Sequence, residues 1–309
     1  MRKAYDIIVA LDTCVDLLMR GGDVAPEFGQ KEKLVEDYSI TMGGSTCIFA
    51  CQAAKLGLRV AGVGAVGDDD FGRFMRSSLA RAGVDVSGLR TVPGLKTGIA
   101  IALCREGGDR AILTHLGSAD GAEEKDLPDE LVAASRHIHV GSYYLMRTLR
   151  PSYPRILASA HRNGVSVSLD PNWDPDERWD GVPDLLPLVD ILLPNENEAR
   201  ALAGKDTATD ALKELGTRVP MVAMKRGRLG AVARRDEAEV RAPAPDVAVE
   251  DTVGAGDSFD AGFLWGYLAG LPPEACLRAG TVCGSLSTRL PGGTAGQPDA
   301  AELRALLDA

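Results

Sequence analysis

The sequence predicts an α/β fold: a central, mostly parallel sheet covered by helices on both faces, with a small β-sheet lid. The first observation behind this prediction is an alternation of short apolar strand patterns with helical patterns, which indicates a parallel sheet covered on both faces. The second is that two segments break the alternation with short strand patterns and turns. We therefore expect one domain over residues 1–309, with the lid built from about 14–42 and 95–117.

The elements of the first half follow from apolar runs and the glycines that end them. The run Ile7–Leu11 predicts a buried strand, and the residues after it contain Gly21-Gly22, Pro26 and Gly29 instead of a helical periodicity. The elements expected next are a helix at 45–56 ending at Gly57, a strand at 59–66, and a helix at 71–82 ending at Gly83.

The second half begins with the other lid segment and then becomes regular. Alternating apolar residues over 97–116 predict a hairpin around Glu106–Asp109. Strands are expected at 137–140, 165–170, 191–193 and 219–224, with helices between them. A last apolar helix begins near Ala255, since Phe259, Phe263 and Tyr267 recur at helical spacing before Gly270 ends it.

Charge and cysteine content narrow the classes of function. The net charge is −10 and the chain has no block of Lys or Arg, which argues against nucleic acid or an anionic membrane as partner. Asp12 stops the N-terminal apolar run too early for a signal peptide core, and no stretch is long enough to span a membrane. Six cysteines without a CxxC pair indicate buried thiols, so we expect a cytoplasmic protein.

The turn Gly254-Ala255-Gly256 before the last long helix is the strongest candidate for a functional site. Amides at a helix start lack internal partners and lie at the positive end of the helix dipole, so they favour an anion. Asp257 in that first turn has two interpretations of equal weight from this pattern alone: a helix cap, or a general base beside a phosphoryl group.

Two other patterns suggest different chemistry. Residues 62–67 satisfy GxGxxG between a strand and a helix, as in a dinucleotide site, but the next residues Asp68-Asp69-Asp70 would repel a pyrophosphate. His137 and His139 alternate on a strand and could form an HxH metal site, although no carboxylate or cysteine has matching spacing. No GxxxxGK[ST] occurs, which excludes a P-loop kinase.

The whole stretch Asp251–Trp265 resembles the C-terminal signature of the ribokinase-like (PfkB) carbohydrate kinase family, and the rest of the chain fits that family along nearly its full length. The resemblance implies a phosphotransferase that uses ATP to phosphorylate a hydroxyl of a sugar or nucleoside. It implies Asp257 as general base, with the amides of Gly254, Ala255 and Gly256 as the anion hole.

Further matches imply the nucleotide and metal ligands. Asn195 and Glu198 match a motif that holds Mg²⁺, through water because Mg²⁺ sheds its hydration shell reluctantly; without the family they read as an ordinary helix start. Around ATP, the resemblance implies the residues Lys225, Gly227, Gly230 and Gly256. Asp251 matches a position that permits a monovalent cation such as K⁺ beside the anion hole.

On the acceptor side the resemblance assigns sugar binding to Asp16 and to the paired glycines Gly43 and Gly44. Ile48 and Cys14 stand where relatives carry asparagine, and losing hydrogen-bonding groups changes specificity, so ribose is disfavoured. The leading hypothesis is a kinase for a free sugar or sugar derivative.

Two alternatives remain open. A nucleoside kinase would be favoured if Tyr143 or Trp173 stacked on a base, and the third hypothesis is a non-catalytic sugar-binding regulator. Asp174 stands near where ketodeoxygluconate kinases carry a carboxylate-binding arginine, which disfavours that acceptor. Relatives often dimerise through the lid, so a homodimer through this surface is a further hypothesis.

Overall fold

The computed structural model describes residues 3–105 and 110–308. Nine strands form one sheet in the order β13-β12-β11-β10-β9-β8-β1-β4-β5, and four form a second sheet in the order β3-β2-β6-β7. The strands are β1 (Tyr5–Leu11), β2 (Cys14–Arg20), β3 (Asp37–Gly43), β4 (Val60–Gly67), β5 (Leu89–Val92), β6 (Gly98–Cys104), β7 (Arg110–His115), β8 (Ser135–Val140), β9 (Ser166–Leu169), β10 (Ile191–Leu192), β11 (Met221–Lys225), β12 (Ala231–Arg235) and β13 (Ala238–Ala242).

The large sheet is parallel from β5 to β11, which confirms the predicted mostly parallel sheet. Its last two strands, β12 and β13, are antiparallel. The sequence patterns did not predict this edge. A hairpin there needs only a tight turn, whereas each parallel strand needs a crossover helix.

Helices cover both faces of the large sheet. They are α1 (Ser45–Lys55), α2 (Asp70–Arg81), α3 (Asp129–Ala133), α4 (Tyr153–Arg162), α5 (Val182–Leu185), α6 (Glu196–Ala203), α7 (Ala208–Leu215), α8 (Ala255–Leu268), α9 (Pro273–Ser287) and α10 (Ala300–Leu307). Because side chains alternate along a strand, Ile8 and Ala10 of β1 pack with α3–α7, and Ile7, Val9 and Leu11 pack with α1, α2, α8 and α9.

The second sheet, here called the lid sheet, comprises β2, β3, β6 and β7. Strands β6 and β7 pair antiparallel, as the expected hairpin requires, but its turn Glu106–Asp109 lies outside the described residues. Asp16 lies opposite Thr41 and Ala100, so these three side chains share one face of the lid sheet. No helix among the described residues has the length and apolar character needed to cross a bilayer.

Candidate active site

Polar side chains collect where five neighbouring strands end. Asp12 follows β1, Ser142 follows β8, Asp170 follows β9, Asn195 follows β10 and Lys225 is the last residue of β11. Because these strands are parallel, their carboxyl ends lie at the same edge of the sheet, where α/β proteins bind their ligands. The helices α1 and α8 both begin at this edge.

The turn before α8 has the geometry of an anion site. Gly254 adopts a left-handed conformation (φ 72°), and a Cβ there would lie 2.7 Å from Ile48 Cγ2, so only glycine fits. Gly254 is the N-cap and has no side chain to satisfy the amides of the first turn. The Ala255 amide makes a long bond to the Thr252 carbonyl at 3.3 Å, and no side chain caps the first turn, which leaves its other amides to an anion.

Asp257 lies in the first turn of α8 and is 8% exposed. Burial raises its pKa well above the ordinary value, and Asp170 raises it further, whereas the Lys225 ammonium and the hydroxyl of Ser45 oppose the rise. The groups that act on this carboxyl, among them Ser45 and Lys225, belong to other elements, and no side-chain cap bond forms at the start of α8. The helix-cap interpretation is therefore not supported. The carboxyl lies at the start of α1, beside the paired glycines.

Lys225 lies in a buried ionic cluster beneath that turn. Its Nζ donates to Asp170 Oδ2 at 2.7 Å and to the two carboxyl oxygens of Asp260 at 3.2 and 3.3 Å. Burial alone would lower the pKa of Lys225, but the two carboxyls outweigh it and raise that pKa. The ammonium lies 3.5 Å from where a Cβ on Gly256 would be. The Lys225 ammonium therefore packs against the predicted anion turn at Gly256. Its contact with ATP phosphates stays a prediction.

Asn195 and Glu198 form a capping box at the start of α6. Asn195 Oδ1 accepts from the amides of Asn197 and Glu198, and Glu198 Oε2 accepts from the Asn195 amide at 2.8 Å. The ordinary helix-start interpretation is therefore correct locally. Yet Glu198 is also buried, and burial followed by the Asp170 charge raises its pKa to about 7.

The donor set around Glu198 fits a hydrated Mg²⁺ better than a bare one. One carboxyl oxygen of Glu198 is already bonded within the helix start, and Asn195 uses its side-chain oxygen in the same box. Across residues 3–105 and 110–308, no group of three or more His, Cys, Asp or Glu could hold a metal alone. A magnesium ion here would reach these side chains through its water, with ATP phosphates as direct ligands.

Asp16 and the paired glycines pack against each other on the acceptor side. A Cβ on Gly43 would collide with the Asp16 carboxyl, and a Cβ on Gly44 (φ 83°) would collide with the Asp12 carbonyl. Burial raises the pKa of Asp16 to about 6, with a further contribution from Asp12. The lid strand β2 thus places the Asp16 carboxyl against Gly43, while Gly44 packs against Asp12.

The predicted ATP-side glycines differ in their surroundings. Gly227 begins a single turn (φ 54°) and has no atom within 4 Å of a Cβ position. Gly230 (φ 83°) packs so closely on the Ala242 carbonyl of β13 that a Cβ would collide with it. Packing of the antiparallel edge therefore explains Gly230, and its role towards ATP stays a prediction, as does that of Gly227.

Asp251 bridges the segment before α8 and the C-terminal loop. Its Oδ1 accepts from the Val253 amide at 3.0 Å and its Oδ2 from the Gly292 amide at 2.9 Å. The guanidinium of Arg20, from the lid, lies 4.0 Å from Oδ2. The carboxylate is thus already neutralised in part by donors of the protein.

Comparison with known proteins shows the family to which the chain belongs. A family model described as pfkB family carbohydrate kinase matches residues 8–300. The chain belongs to the PfkB family of carbohydrate kinases.

Three relatives illustrate the range of the PfkB family. The ATP-dependent ribose-1-phosphate kinase of Halopiger xanaduensis is 31% identical over 246 residues, 79% of this chain and 79% of that protein. The fructokinase of Klebsiella pneumoniae is 32% identical and the match covers 83% of this chain and 88% of that protein. The solved adenosine kinase of Sinorhizobium meliloti has a TM-score of 0.86 at 25% identity, over 98% of this chain and 99% of that chain. This PfkB protein is an ATP-dependent phosphotransferase acting on a sugar hydroxyl, and the family uses ATP with a divalent metal.

The dinucleotide-site interpretation of residues 62–67 and the HxH metal-site interpretation of His137 and His139 are wrong for this PfkB kinase. Asp69 caps α2 by accepting from the Gly72 amide at 2.7 Å, so a carboxylate already occupies the helix start that a pyrophosphate would need. His137 and His139 are buried and hydrogen-bonded to Ser166 and Ser168 at 2.7–2.8 Å. They are part of the sheet interior rather than of a metal site.

The two positions at which the resemblance implied asparagine are both buried. Ile48 lies between the Gly254 turn and Gly293 of the C-terminal loop, and Cys14 lies in β2 of the lid sheet. Asp174, which stands near the position of the expected carboxylate-binding arginine, accepts from the amides of Asp176, Arg178 and Trp179 and so organises its own loop.

Asp12 organises the PfkB site, and sequence reasoning missed it. Its carboxylate accepts from the amides of Ser45 and Thr46, both at 3.0 Å, from the Thr46 hydroxyl at 2.6 Å, and from the Ser142 hydroxyl. It thereby caps α1, whose N-cap Gly44 has no side chain. The available signal was an acidic residue directly at the end of a buried parallel strand, where ligand sites lie.

The loop after β9 is tied to the same network. Asn172 has a left-handed conformation (φ 54°), and its Oδ1 accepts from the Ser142 amide at 2.5 Å. The backbone amide of Asn172 donates to Asp170 Oδ1 at 3.1 Å. Hydrogen bonds therefore connect Lys225 through Asp170, Asn172 and Ser142 to Asp12 and the start of α1.

Proposed function

We propose that Asp257 is the general base of this sugar kinase. The observation that carries the proposal is a buried carboxyl directly after the Gly254–Gly256 turn, beside Ser45 and the paired glycines. A hydroxyl held near Gly43 and Gly44 would give its proton to Asp257 as its oxygen attacks the γ-phosphorus. The bond to the β-phosphate oxygen breaks and ADP leaves.

The remaining residues would act by positioning and electrostatics. The amides of Gly254, Ala255 and Gly256 would hold the charge that grows on the transferred group. Magnesium bound through water to Asn195 and Glu198 would neutralise the ATP phosphates. Asp16 would accept hydrogen bonds from hydroxyls of the acceptor.

A free sugar or sugar derivative is the acceptor class we favour. Relatives at 31% and 32% identity are named as kinases of ribose 1-phosphate and of fructose, whereas the adenosine kinase is 25% identical. Tyr143 is enclosed by Tyr153 and Gly181, which leaves Trp173, 47% exposed, as the aromatic ring available to stack on a base. A nucleoside kinase remains the second candidate because of that ring.

The experiment that tests this function is an ADP-release screen with Mg·ATP over free sugars, sugar acids, sugar phosphates and nucleosides. We expect turnover with one sugar class and a product carrying phosphate on a hydroxyl, identified by ³¹P NMR. Turnover with nucleosides alone would favour the second candidate. Binding of sugars without ADP release on any acceptor would instead indicate a regulator.

A monovalent cation beside Asp251 is a separate part of the proposal. Arg20 and two amides already compensate this carboxylate, and backbone carbonyls would supply the other ligands. Replacing K⁺ by tetramethylammonium should lower turnover if the cation binds.

We also propose a homodimer through the lid sheet. Residues of its face opposite Asp16 form two apolar rows, the apolar lid face: Leu17, Met19, Tyr38, Ile40, Ile101, Leu103 and Leu113. Tyr38 and Leu113 are about two-thirds exposed there. A second copy of the chain is the occupant that such a self-complementary sheet face fits. A cytoplasmic location stays a prediction.

A further inference from the structure

Three buried ionisable side chains lie directly under the proposed anion turn. Asp170 follows β9, Lys225 ends β11 and Asp260 lies one helical turn after Asp257 in α8. Asp260 is completely buried and Asp170 is 3% exposed. The Lys225 ammonium lies between the two carboxyls, 2.7 Å from one and 3.2 Å from the other.

Both carboxyls contact the same ammonium, so one cation faces two buried acids. Two ionised carboxylates with one ammonium would leave a net negative charge in the interior, which is strongly disfavoured. A proton on one carboxyl removes that charge and allows it to donate a hydrogen bond to the other, because an ionised carboxylate can only accept. Counting charges therefore gives this cluster one bound proton.

The surrounding donors decide which carboxyl keeps the proton. Asp170 accepts the shorter bond from Lys225 and, in addition, a bond from the Asn172 amide at 3.1 Å. Asp260 has only the longer contacts with the ammonium. The donors around Asp170 hold its pKa below the ordinary value although burial opposes this, and burial raises the pKa of Asp260 well above its ordinary value.

We propose that Asp260 carries a proton and acts as a positioning residue, donating to Asp170 and accepting from Lys225 so that an electrically neutral cluster supports the anion turn. The functional part of this inference rests on the proposed role of that turn. Lys225 Nζ lies 3.5 Å from the position that a Cβ on Gly256 would occupy, so the placement of Lys225 determines what the turn packs against. An electrically neutral cluster there adds no negative charge next to the ATP phosphates or Asp257.

The first test is chemical and needs no acceptor. In the infrared difference spectrum of the wild type minus Asp260→Asn at neutral pH, we expect the C=O band of a protonated carboxylic acid. The matched control is Asp6→Asn, because Arg59 and Arg136 hold the pKa of Asp6 at about 2 and keep that carboxyl ionised. Its difference spectrum should contain only carboxylate bands. A carboxylate band lost in Asp260→Asn would overturn the proposal.

The second test separates the positioning role from general stability. An asparagine amide can donate to Asp170 and accept from Lys225, so Asp260→Asn should keep the Mg·ATP dissociation constant and turnover within about threefold, with an unshifted pH profile. Asp260→Leu removes both bonds and should lower turnover by on the order of 10²-fold, because a buried, hydrogen-bonded charge loses its partner.

The outcomes keep this inference separate from the proposed function. If Asp260 were ionised, its asparagine variant would remove a negative charge beside the phosphates and tighten Mg·ATP by tenfold or more, which would contradict the proposal. Equal losses in the asparagine and leucine variants would also contradict it. Should Asp260→Leu not fold, the infrared and asparagine measurements still decide. Failure of the proposed function would instead appear as a wild type that neither binds Mg·ATP nor releases ADP, whatever the infrared spectrum.

Discussion

At the scale of single residues, the chemistry depends on which carboxyls stay ionised in a buried acidic cluster. Asp257 must be ionised to act as a base, yet burial and Asp170 both raise its pKa. The Lys225 ammonium is the charge that opposes them. If Asp257 is the base, as proposed, the lysine at the end of β11 favours its ionised form without having to touch ATP.

Replacing Asp257 by Asn should lower turnover by at least about 10²-fold while the protein stays folded, because the amide cannot take the hydroxyl proton. The stabilisation of the variant by Mg·ATP in a thermal-shift assay should remain. Asp6→Asn serves as the matched control, since it changes a carboxyl in β1 that is distant in the sequence from Asp257. Turnover like that of the wild type would exclude Asp257 as the base.

Replacing Glu198 by Gln should raise the Mg²⁺ concentration needed for half-maximal turnover by roughly tenfold, because a neutral amide binds the hydrated cation less well. The KM for the acceptor should change little. Glu196→Gln is the control from the same helix turn; its carboxyl pairs with Arg226 at 2.8 Å instead. A magnesium titration curve identical to that of the wild type would show that the assigned role is wrong.

At the scale of elements, the lid sheet has two chemically different faces. Asp16 faces the paired glycines, whereas the apolar lid face points away from them. A four-stranded sheet that leaves large apolar side chains exposed on one face is stabilised when another surface covers it. The same strands would thus bind the acceptor on one side and a second subunit on the other.

Leu113→Glu should therefore convert a dimer to monomers in light scattering coupled to size exclusion. A charge in the middle of a buried apolar contact remains unpaired and weakens association by roughly 10²-fold or more. Leu34→Glu is the control, because this leucine is also highly exposed but lies between strands. A wild type that is monomeric at all accessible concentrations would rule out the dimer.

At the scale of the whole molecule, the sheet interior contains two histidines that cannot ionise without cost. Burial lowers the pKa of His137 and of His139 to about 3. An unfolded histidine titrates near 6.5, so the folded protein binds fewer protons than the unfolded chain between these values. The stabilisation that comes from keeping these two histidines neutral is complete above about pH 6.5 and is lost as the pH falls towards 3.

Raised pKa values of buried carboxyls such as Glu198 and Asp16 change stability in the opposite direction. The histidine contribution is therefore measured as the free energy of urea unfolding of the wild type minus that of His139→Gln, which cannot ionise at this position. We expect this difference to fall between pH 7 and pH 5, by an amount approaching about 1.4 kcal/mol per pH unit once the pH is below 6. His161→Gln, at an exposed position, is the matched control. A difference that stays constant over this pH range would contradict the prediction.

Local patterns in the sequence determined the elements and the turn before α8. Periodicity predicted α1, α2 and the parallel strands because burial of one or both faces dictates the spacing of apolar residues. The turn was readable because glycines are needed wherever backbone must approach an anion, and Gly254 has the required left-handed conformation. The matching family then supplied the reaction class.

Only the tertiary structure decided how distant residues share charge and hydrogen bonds. Asp12, Asp170, Lys225 and Asp260 are far apart in the chain, and predicting a parallel sheet does not give the strand order that brings them together. The antiparallel edge β12–β13 and the burial of Glu198 were unpredicted for the same reason. Periodicity reports which face of an element is buried, whereas the partners it meets, and hence the protonation of a buried carboxyl, depend on how the elements pack.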